Sequence, residues 1–456
     1  MKVSTPKGTR DFGPKEMAKR KFIFSTLEET FKNYGFQALE TPSMENLSVL
    51  TGKYGEEGDR LIFKILNSGD YLKKAKTEIL EEKNSRKLTT TISEKALRYD
   101  LTIPFARYVS QNQNDITFPF RRYQIQPVWR AERPQKGRYR EFFQCDADII
   151  GDQSLLCEVD LLALYDEAFK KLGITDFSIK LNNRKVLAAM AEIIGEKDKF
   201  TDITIAVDKL DKIGMDKVCE ELKSKGISHN STEKLVQILT LEGNNAEKLS
   251  QAKKLLEESE QGLLGIKELE YTLESTKTLG IESIDFDITL ARGLDYYTGA
   301  IFEVKLKDST SGSLGGGGRY DDLTGIFGLK NISGVGLSFG ADRIYDLLSE
   351  RNLFPAGIDS GLDLLILHFG EETLPSNLQT LMELRQENCR AEIYPSEAKL
   401  KKQMKYAHSR STKFVLIRGP QELEKRLFNI KNMETGEQKE VPEKKLFSYL
   451  KQSSLL

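Results

Sequence analysis

The sequence predicts an α+β chain: one large domain of hairpin-linked strands and flanking helices, a helical stretch set into it, and a small α/β domain after it. Three observations predict this. The strand-like runs FPFRRYQIQPV (118–128) and EFFQCDADII (141–150) are joined by a cationic loop at 129–140. From about 184 to 275 the composition shifts toward Lys, Glu, Leu and Ala, as in EKLSQAKKLLEESEQ. After NLFPAGIDSG (352–361), which carries the Pro and Gly of a linker, strand-like and helix-like runs alternate again. The expected division is therefore 1–183 with 276–350, an insertion at 184–275, a linker at 351–361, and a final domain at 362–456.

Taken in order, residues 14–35 form an amphipathic helix. Pro14 suits its first position and Gly35 its exit, as helix ends prefer. Phe24, Leu27, Phe31 and Tyr34 fall on one stripe at spacings of three and four. FQALETPSMEN then runs extended, and Pro42 keeps it from a central ladder position. FSIKLNN (177–183) is a further strand. ITLARGLDYYTGAIFEVKL and SLGGGGRYDDL return to strand and turn character, and SGVGLSFGADRIYDLL is a strand that turns into a helix. In the final domain LDLLILHF, RAEIYP and KFVLIRG are strands, and KLKKQMKYAHSR is a helix.

Composition narrows the function classes. A net charge of -1 with 30% charged residues argues against a protein that coats nucleic acid indiscriminately. No apolar run reaches the roughly 20 residues that span a bilayer, and MKVSTPKGTRDFGP lacks a secretory h-region. The four cysteines show no CxxC spacing, so reduced thiols in a cytoplasm are expected. No zinc-type cluster is present. The three histidines, His229, His368 and His408, lie outside the stretches richest in chemistry.

Those stretches are five. RAERPQKGRYREF (130–142) gathers Arg130, Arg133, Lys136, Arg138 and Arg140, with Trp129, Tyr139, Phe142 and Phe143 interleaved. Arginine offers a planar fork to phosphate oxygens, and an aromatic ring offers a face to a purine; a solvated hairpin is the plain alternative. In RGLDYYTG (292–299) strand alternation sends Tyr296 and Tyr297 to opposite faces, one packing and one toward a pocket. GSLGGGGRYDD (312–322) permits close backbone approach or a strained turn, but it lacks the GK[ST] ending of a P-loop. In GVGLSFGADRI (334–344) the helix starts near Gly340, which puts Arg343 in its first turn beside an anion-favouring terminus. In LRYDLTIPFARY (97–108) Asp100 and Thr102 alternate with Leu101, so both face one side of an extended segment. That pair suits a primary ammonium group or an ordinary buried network.

Together these stretches resemble one family. WRAERPQKGRYREFFQCDADIIG is similar to motif 2 of class II aminoacyl-tRNA synthetases, GVGLSFGADRI to motif 3, and the helix ending at Gly35 plus ETPSMEN to motif 1. ARGLDYYTGAIFEV with GGGGRYDDL resembles the histidyl-tRNA synthetase family, and the likeness covers nearly the whole chain because the final domain resembles that family's anticodon-binding domain. The resemblance implies an antiparallel class II sheet flanked by helices. It implies ATP-dependent ligation of L-histidine to tRNA(His) through a histidyl-adenylate, releasing AMP and pyrophosphate. It also implies Mg²⁺ carried on the nucleotide phosphates, no metal held by side chains, and a homodimer.

The resemblance carries roles to positions. Arg130, Arg292 and Arg343 would be catalytic. Arg130 would hold the α-phosphate, Glu132 the adenine edge, Phe142 the adenine face, and Arg138 with Arg343 the outer phosphates. Arg292 would reach both the α-phosphate and the substrate carboxylate, which Arg130 also approaches. The segment Asp100, Leu101 and Thr102, with Gln144, would bind the histidine α-ammonium group; Asp148 and Tyr297 would contact the imidazole nitrogens, with Tyr296 and Tyr320 as wall. Asp100 and Asp148 stand where many members have Glu, one methylene longer. Arg133 and Gln135 would meet the tRNA acceptor end. Between Pro395 and Arg418, Lys399, Lys401, Lys402, Lys405, Arg410, Lys413 and Arg418 face only Glu397; within that run Lys401, Lys402 and Lys405 would contact the anticodon stem. The competing reading is a non-catalytic histidine-binding paralogue, like the regulatory subunit of ATP phosphoribosyltransferase, which would be expected to lack RGLDYYTG and the final domain.

Overall fold

A computed structural model describes residues 3–52, 59–135, 137–291, 296–307, 312–358 and 361–453. By internal contacts the chain divides into two units: Met1–Asp11 with Arg20–Phe354, and Phe12–Lys19 with Pro355–Leu456.

Helix α1 (Pro14–Asn33), which belongs to the first unit from Arg20 onward, leads to the short strands β1 (Gln37–Ala38), β2 (Met44–Asn46), β3 (Lys64–Ile65) and β4 (Lys95–Leu97) of that unit. Helix α2 (Thr102–Gln111) precedes the long hairpin β5 (Phe120–Trp129) and β6 (Glu141–Ile150). Then come α3 (Leu156–Lys171), β7 (Phe177–Asn183), α4 (Arg184–Ile193) and, after several short helices, α5 (Glu260–Thr278). The unit ends with β8 (Ile284–Phe286), β9 (Ala300–Leu306), β10 (Gly315–Tyr320), β11 (Gly334–Gly340) and α6 (Ala341–Glu350). Eight strands form one sheet in the order β1-β5-β6-β11-β10-β9-β7-β8. Its six central strands pair antiparallel, while β1 on β5 and β8 on β7 pair parallel. Strands β2, β4 and β3 make a separate small sheet.

Strand alternation decides the two faces of this sheet. On β6, Cys145, Ala147 and Ile149 enter the main core. Their neighbours Gln144, Asp146 and Asp148 line a cavity on the other face. On β11, Val335, Leu337 and Phe339 belong to the core, and the intervening positions are Gly334, Gly336, Ser338 and Gly340. Helices α1 and α3 cover the apolar face. Phe31 stacks on Tyr123 with ring centroids 5.4 Å apart, and Tyr165 meets Phe339 edge-on at 4.7 Å.

The 184–275 stretch is helical, but it buries its apolar residues in the same core as the sheet: Val186, Leu187 and Met190 of α4 and Ile266 and Leu269 of α5 join that cluster. GGGGRY is a strand and not a turn. A Cβ at Gly317 would sit 2.2 Å from the Gly336 carbonyl oxygen and 2.4 Å from Phe302, so glycine is required there by crowding between strands.

The second unit carries a five-stranded sheet, β12 (Leu364–Ile366), β13 (Ala391–Ile393), β14 (Phe414–Ile417), β15 (Leu427–Asn432) and β16 (Gln438–Pro442), in the order β13-β12-β14-β15-β16. Helices α7 (Leu374–Gln386) and α8 (Leu400–Ser409) connect its parallel strands. Leu364 and Ile366 face one core, Leu365 and Leu367 the other, so β12 is apolar on both sides. The β15–β16 hairpin has no counterpart in the sequence expectation: β15 alternates, burying Phe428 and Ile430, but β16 does not, with Gln438, Lys439 and Glu440 all exposed.

Candidate active site

The loop between β5 and β6 folds back as a tight hairpin, with the backbone amides of Gln135 and Arg138 each donating to the other's carbonyl. It overhangs a cleft of about 290 Å³ lined by Arg130, Glu132, Arg138, Phe142, Gln144, Ser338 and Arg343, among others. Arg130 donates from Nε to the Tyr99 carbonyl at 3.1 Å, and its guanidinium lies 4.3 Å from the Tyr99 ring and 5.2 Å from Phe142. Arg343, in the first turn of α6, donates to the carbonyls of Ser313 at 2.6 Å and Gly137 at 3.0 Å. Three arginines from two distant stretches thus converge on one cleft. Glu132 and Arg138, expected to meet different parts of a nucleotide, face each other at 3.0 Å. Phe142 is partly open to the cleft.

A smaller cavity of about 40 Å³ adjoins it, lined by Asp100, Thr102, Asp146, Asp148, Tyr296, Tyr297 and Tyr320, and sharing Gln144, Gly316 and Ser338 with the cleft. Asp100 and Thr102 reach it from the start of α2 and not from an extended segment: the Asp100 carboxylate accepts from the Ile103 amide at 3.1 Å, as a helix-capping acid does. Leu101 is fully buried and does not line the cavity. Tyr296 and Tyr297 lie in the turn before β9, so strand alternation does not separate them; their rings meet at 5.0 Å and both line the cavity.

Asp148 is held from two sides. Tyr320 donates to one carboxylate oxygen at 2.6 Å, and Arg122, fully buried on β5, pairs with the other at 2.7 Å. Glycines on β11 make room: a Cβ at Gly336 would stand 2.0 Å from the Asp148 oxygen, and one at Gly334 2.4 Å from the Tyr320 ring. Burial pushes the Asp148 carboxyl up, against the pull of Arg122 and the Tyr320 hydrogen bond. Burial likewise raises the hydroxyls of Tyr297 and Tyr320, with Asp148 adding to it.

Several residues here were not singled out in the sequence. Asp146, Ser338 and Gly316 line the cavity, Arg122 anchors Asp148, and Asp342 accepts from Arg10 at 2.5 Å, Arg20 at 2.7 Å and the Phe143 amide at 3.0 Å. The spacing Gln144-x-Asp146-x-Asp148 was the one available signal for Asp146. Arg319 is no phosphate ligand: it is 5% exposed and bound to Glu158. Arg292 lies outside the described residues. Arg133 and Gln135 are exposed at the hairpin tip, and Lys401, Lys402 and Lys405 are exposed on α8. Arg418 departs from the expected basic surface. It is 1% exposed, 4.3 Å from the Phe428 ring, and paired with Glu443 at 2.7 Å. Arg410 and Lys413 are paired as well, with Glu392 and Asp363.

A family model described as histidyl-tRNA synthetase matches residues 78–344, and one described as anticodon binding domain matches 363–453. The histidine--tRNA ligase of Christiangramia forsetii is 57% identical over 440 residues, 96% of either chain. That of Bacteroides fragilis is 54% identical over 98% of this chain and 99% of its own. The crystal structure of histidyl-tRNA synthetase from a Nostoc species matches at a TM-score of 0.82 and 30% identity, covering 99% of this chain and all of that one. With half the chain matched by the family model and relatives this similar along nearly its whole length, the chain belongs to the histidyl-tRNA synthetase family.

Proposed function

We infer that this protein ligates L-histidine to tRNA(His), using ATP, through a histidyl-adenylate. The observation that carries the reading is the pair of adjoining cavities: an arginine-lined cleft of nucleotide size and a carboxylate- and tyrosine-lined pocket, meeting at Gln144. The relatives' names agree with it and do not favour the regulatory paralogue.

The chemistry fits these side chains. A carboxylate is already a nucleophile at neutral pH, so its attack on the α-phosphorus needs no base. It needs alignment and neutralisation of phosphate charge. In this reading Arg130 faces the α-phosphate with Arg292, Arg343 and Arg138 face the outer phosphates, and Phe142 and Glu132 take the adenine face and edge. Glu132 and Arg138 are ion-paired at 3.0 Å, though Glu132 Oε2 accepts no hydrogen bond; the nucleotide would replace that pairing. Mg²⁺ would enter on the nucleotide phosphates, whose oxygens suit it. The absence of histidine from both cavities costs the first step nothing.

In the pocket, Asp148 and Tyr297 would meet the imidazole, and Asp100, Thr102 and Gln144 the ammonium group. A substrate without ring nitrogens leaves these groups unpaired, which can discriminate by about 10⁴. Arg133 and Gln135 would meet the acceptor end, and Lys401, Lys402 and Lys405 the anticodon stem. The division into 1–183 with 276–350 as catalytic domain, 184–275 as insertion, 351–361 as linker and 362–456 as anticodon-binding domain belongs to the same proposal, as do a homodimer and a cytoplasmic location. Pyrophosphate exchange tests the reading: purified protein with ATP, pyrophosphate and each amino acid in turn. Exchange with histidine alone is expected; exchange with another amino acid, or none, overturns it.

A further inference from the structure

Along the cavity face of β6 stand Gln144, Asp146 and Asp148, two residues apart, so each step is about 6.4–6.8 Å. Gln144 also lines the nucleotide cleft, and Asp148 does not. A histidine whose carboxylate faces the nucleotide and whose ring reaches Asp148 therefore carries its α-amino group over the middle of this row. The middle is Asp146.

Three acceptors in the row accept no hydrogen bond among the described residues, Gln144 Oε1, Asp146 Oδ1 and Asp148 Oδ2, and of these only Asp148 Oδ2 is ion-paired, with Arg122. Asp146 is 2% exposed. Gln144 is oriented by its own amide nitrogen, which donates to the Ser338 hydroxyl at 3.0 Å. Buried acceptors are almost always paired, and a primary ammonium group brings three donors. We propose that Asp146 is a histidine-binding residue that accepts from the substrate's α-ammonium group, completing with Asp100 and Gln144 a three-sided cage for a primary amine. This rests on the histidine-pocket reading above and adds to it a residue that sets specificity for the amine.

Charge supports the assignment. The charged groups facing Asp146 are Arg122 from β5, Arg98 and Asp100 from the segment between β4 and α2, and Asp148 on its own strand; Tyr165 and Tyr297 are the titratable hydroxyls nearby. Arg122 is committed to Asp148 at 2.7 Å. Arg98 donates to the Thr41 carbonyl, the Pro127 carbonyl and Gln126. Asp146 is left without a cation of its own, and burial drives its carboxyl up to about 7. The substrate ammonium is the missing cation.

The test is equilibrium binding to the full-length protein of L-histidine and of imidazolepropionate, its des-amino analogue. Asp146→Asn is expected to weaken histidine at least about tenfold, the size of one charge-assisted hydrogen bond, while imidazolepropionate binds as it does to the wild type. Calorimetry in two buffers at pH 7 should show about half a proton released with histidine by the wild type and not by the variant. Equal loss for both ligands, or for neither, overturns the proposal. Asp100→Asn runs alongside: histidine lost there but not in Asp146→Asn defeats the role of Asp146 alone, and no loss in either defeats the pocket reading itself. If Asp146→Asn does not fold, Asp146→Ser reads the same two constants.

Discussion

Asp148 spends both carboxylate oxygens on Tyr320 and Arg122, so substitutions there must separate recognition from support. Removing it leaves Arg122 buried without its counter-charge, at a cost of about 3–5 kcal/mol. Asp148→Asn keeps the shape and an acceptor for Tyr320 but takes the same counter-charge from Arg122, so its melting temperature is read beside its kinetics. Its KM for histidine in pyrophosphate exchange should rise by roughly 100-fold or more, with the KM for ATP within about twofold; equal rises would remove Asp148 from the imidazole. Asp146 makes a different prediction, on stability. Its carboxyl moves from 3.8 to about 7 on folding, so between those values the folded chain holds a proton that the unfolded chain has lost. Stability therefore falls as pH rises through this window and levels off above it. At roughly 1.4 kcal/mol per unit the penalty is a few kcal/mol. Without ligands, Asp146→Asn should melt above the wild type at pH 8, with the gap closing near pH 4.5; a variant that melts lower at pH 8 would contradict this.

Among the elements, β10 and β11 do the most to shape the pocket, by what they lack. Asp148 and Tyr320 lie across a floor of glycines because any Cβ at Gly334 or Gly336 would occupy their place. Gly336→Ala should displace Asp148, raise the KM for histidine by about tenfold or more, and destabilise by about 1–3 kcal/mol through overpacking; normal exchange kinetics would show that the carboxylate needs no fixed seat. The run GGGGRY is legible as close packing or a turn from sequence, but its identity as a strand is not. Glycine carries no strand propensity, and only its partners β9 and β11 hold it extended. Tyr296 and Tyr297 show the converse. Alternation separates neighbours only on a strand, and these two precede one.

At the scale of the whole molecule, the proposed work is divided between the sheet-built cavities and exposed lysines on α8. Lys401, Lys402 and Lys405 are exposed there without a carboxylate partner in any described ion pair, whereas Arg418 is interior. Replacing those three lysines by alanine should leave histidine-dependent exchange unchanged, weaken tRNA charging, and reduce the salt-dependence slope of tRNA binding by about 2. An unchanged slope would put the tRNA elsewhere. The sequence by itself determined the fold class, the main pair of strands and the strand-to-helix turn at Gly340, because periodicity and loop chemistry are local properties; it left the arginine-rich loop open between a phosphate site and a solvated hairpin, and only the family resemblance pointed those arginines at a nucleotide. The tertiary structure decided which carboxylate is ion-paired, which keeps an oxygen without a hydrogen bond and which cation is buried. Arg122, Asp146 and Arg418 resemble other charged residues along the chain; their roles follow from strand register and burial, and those are set by partners far away in sequence.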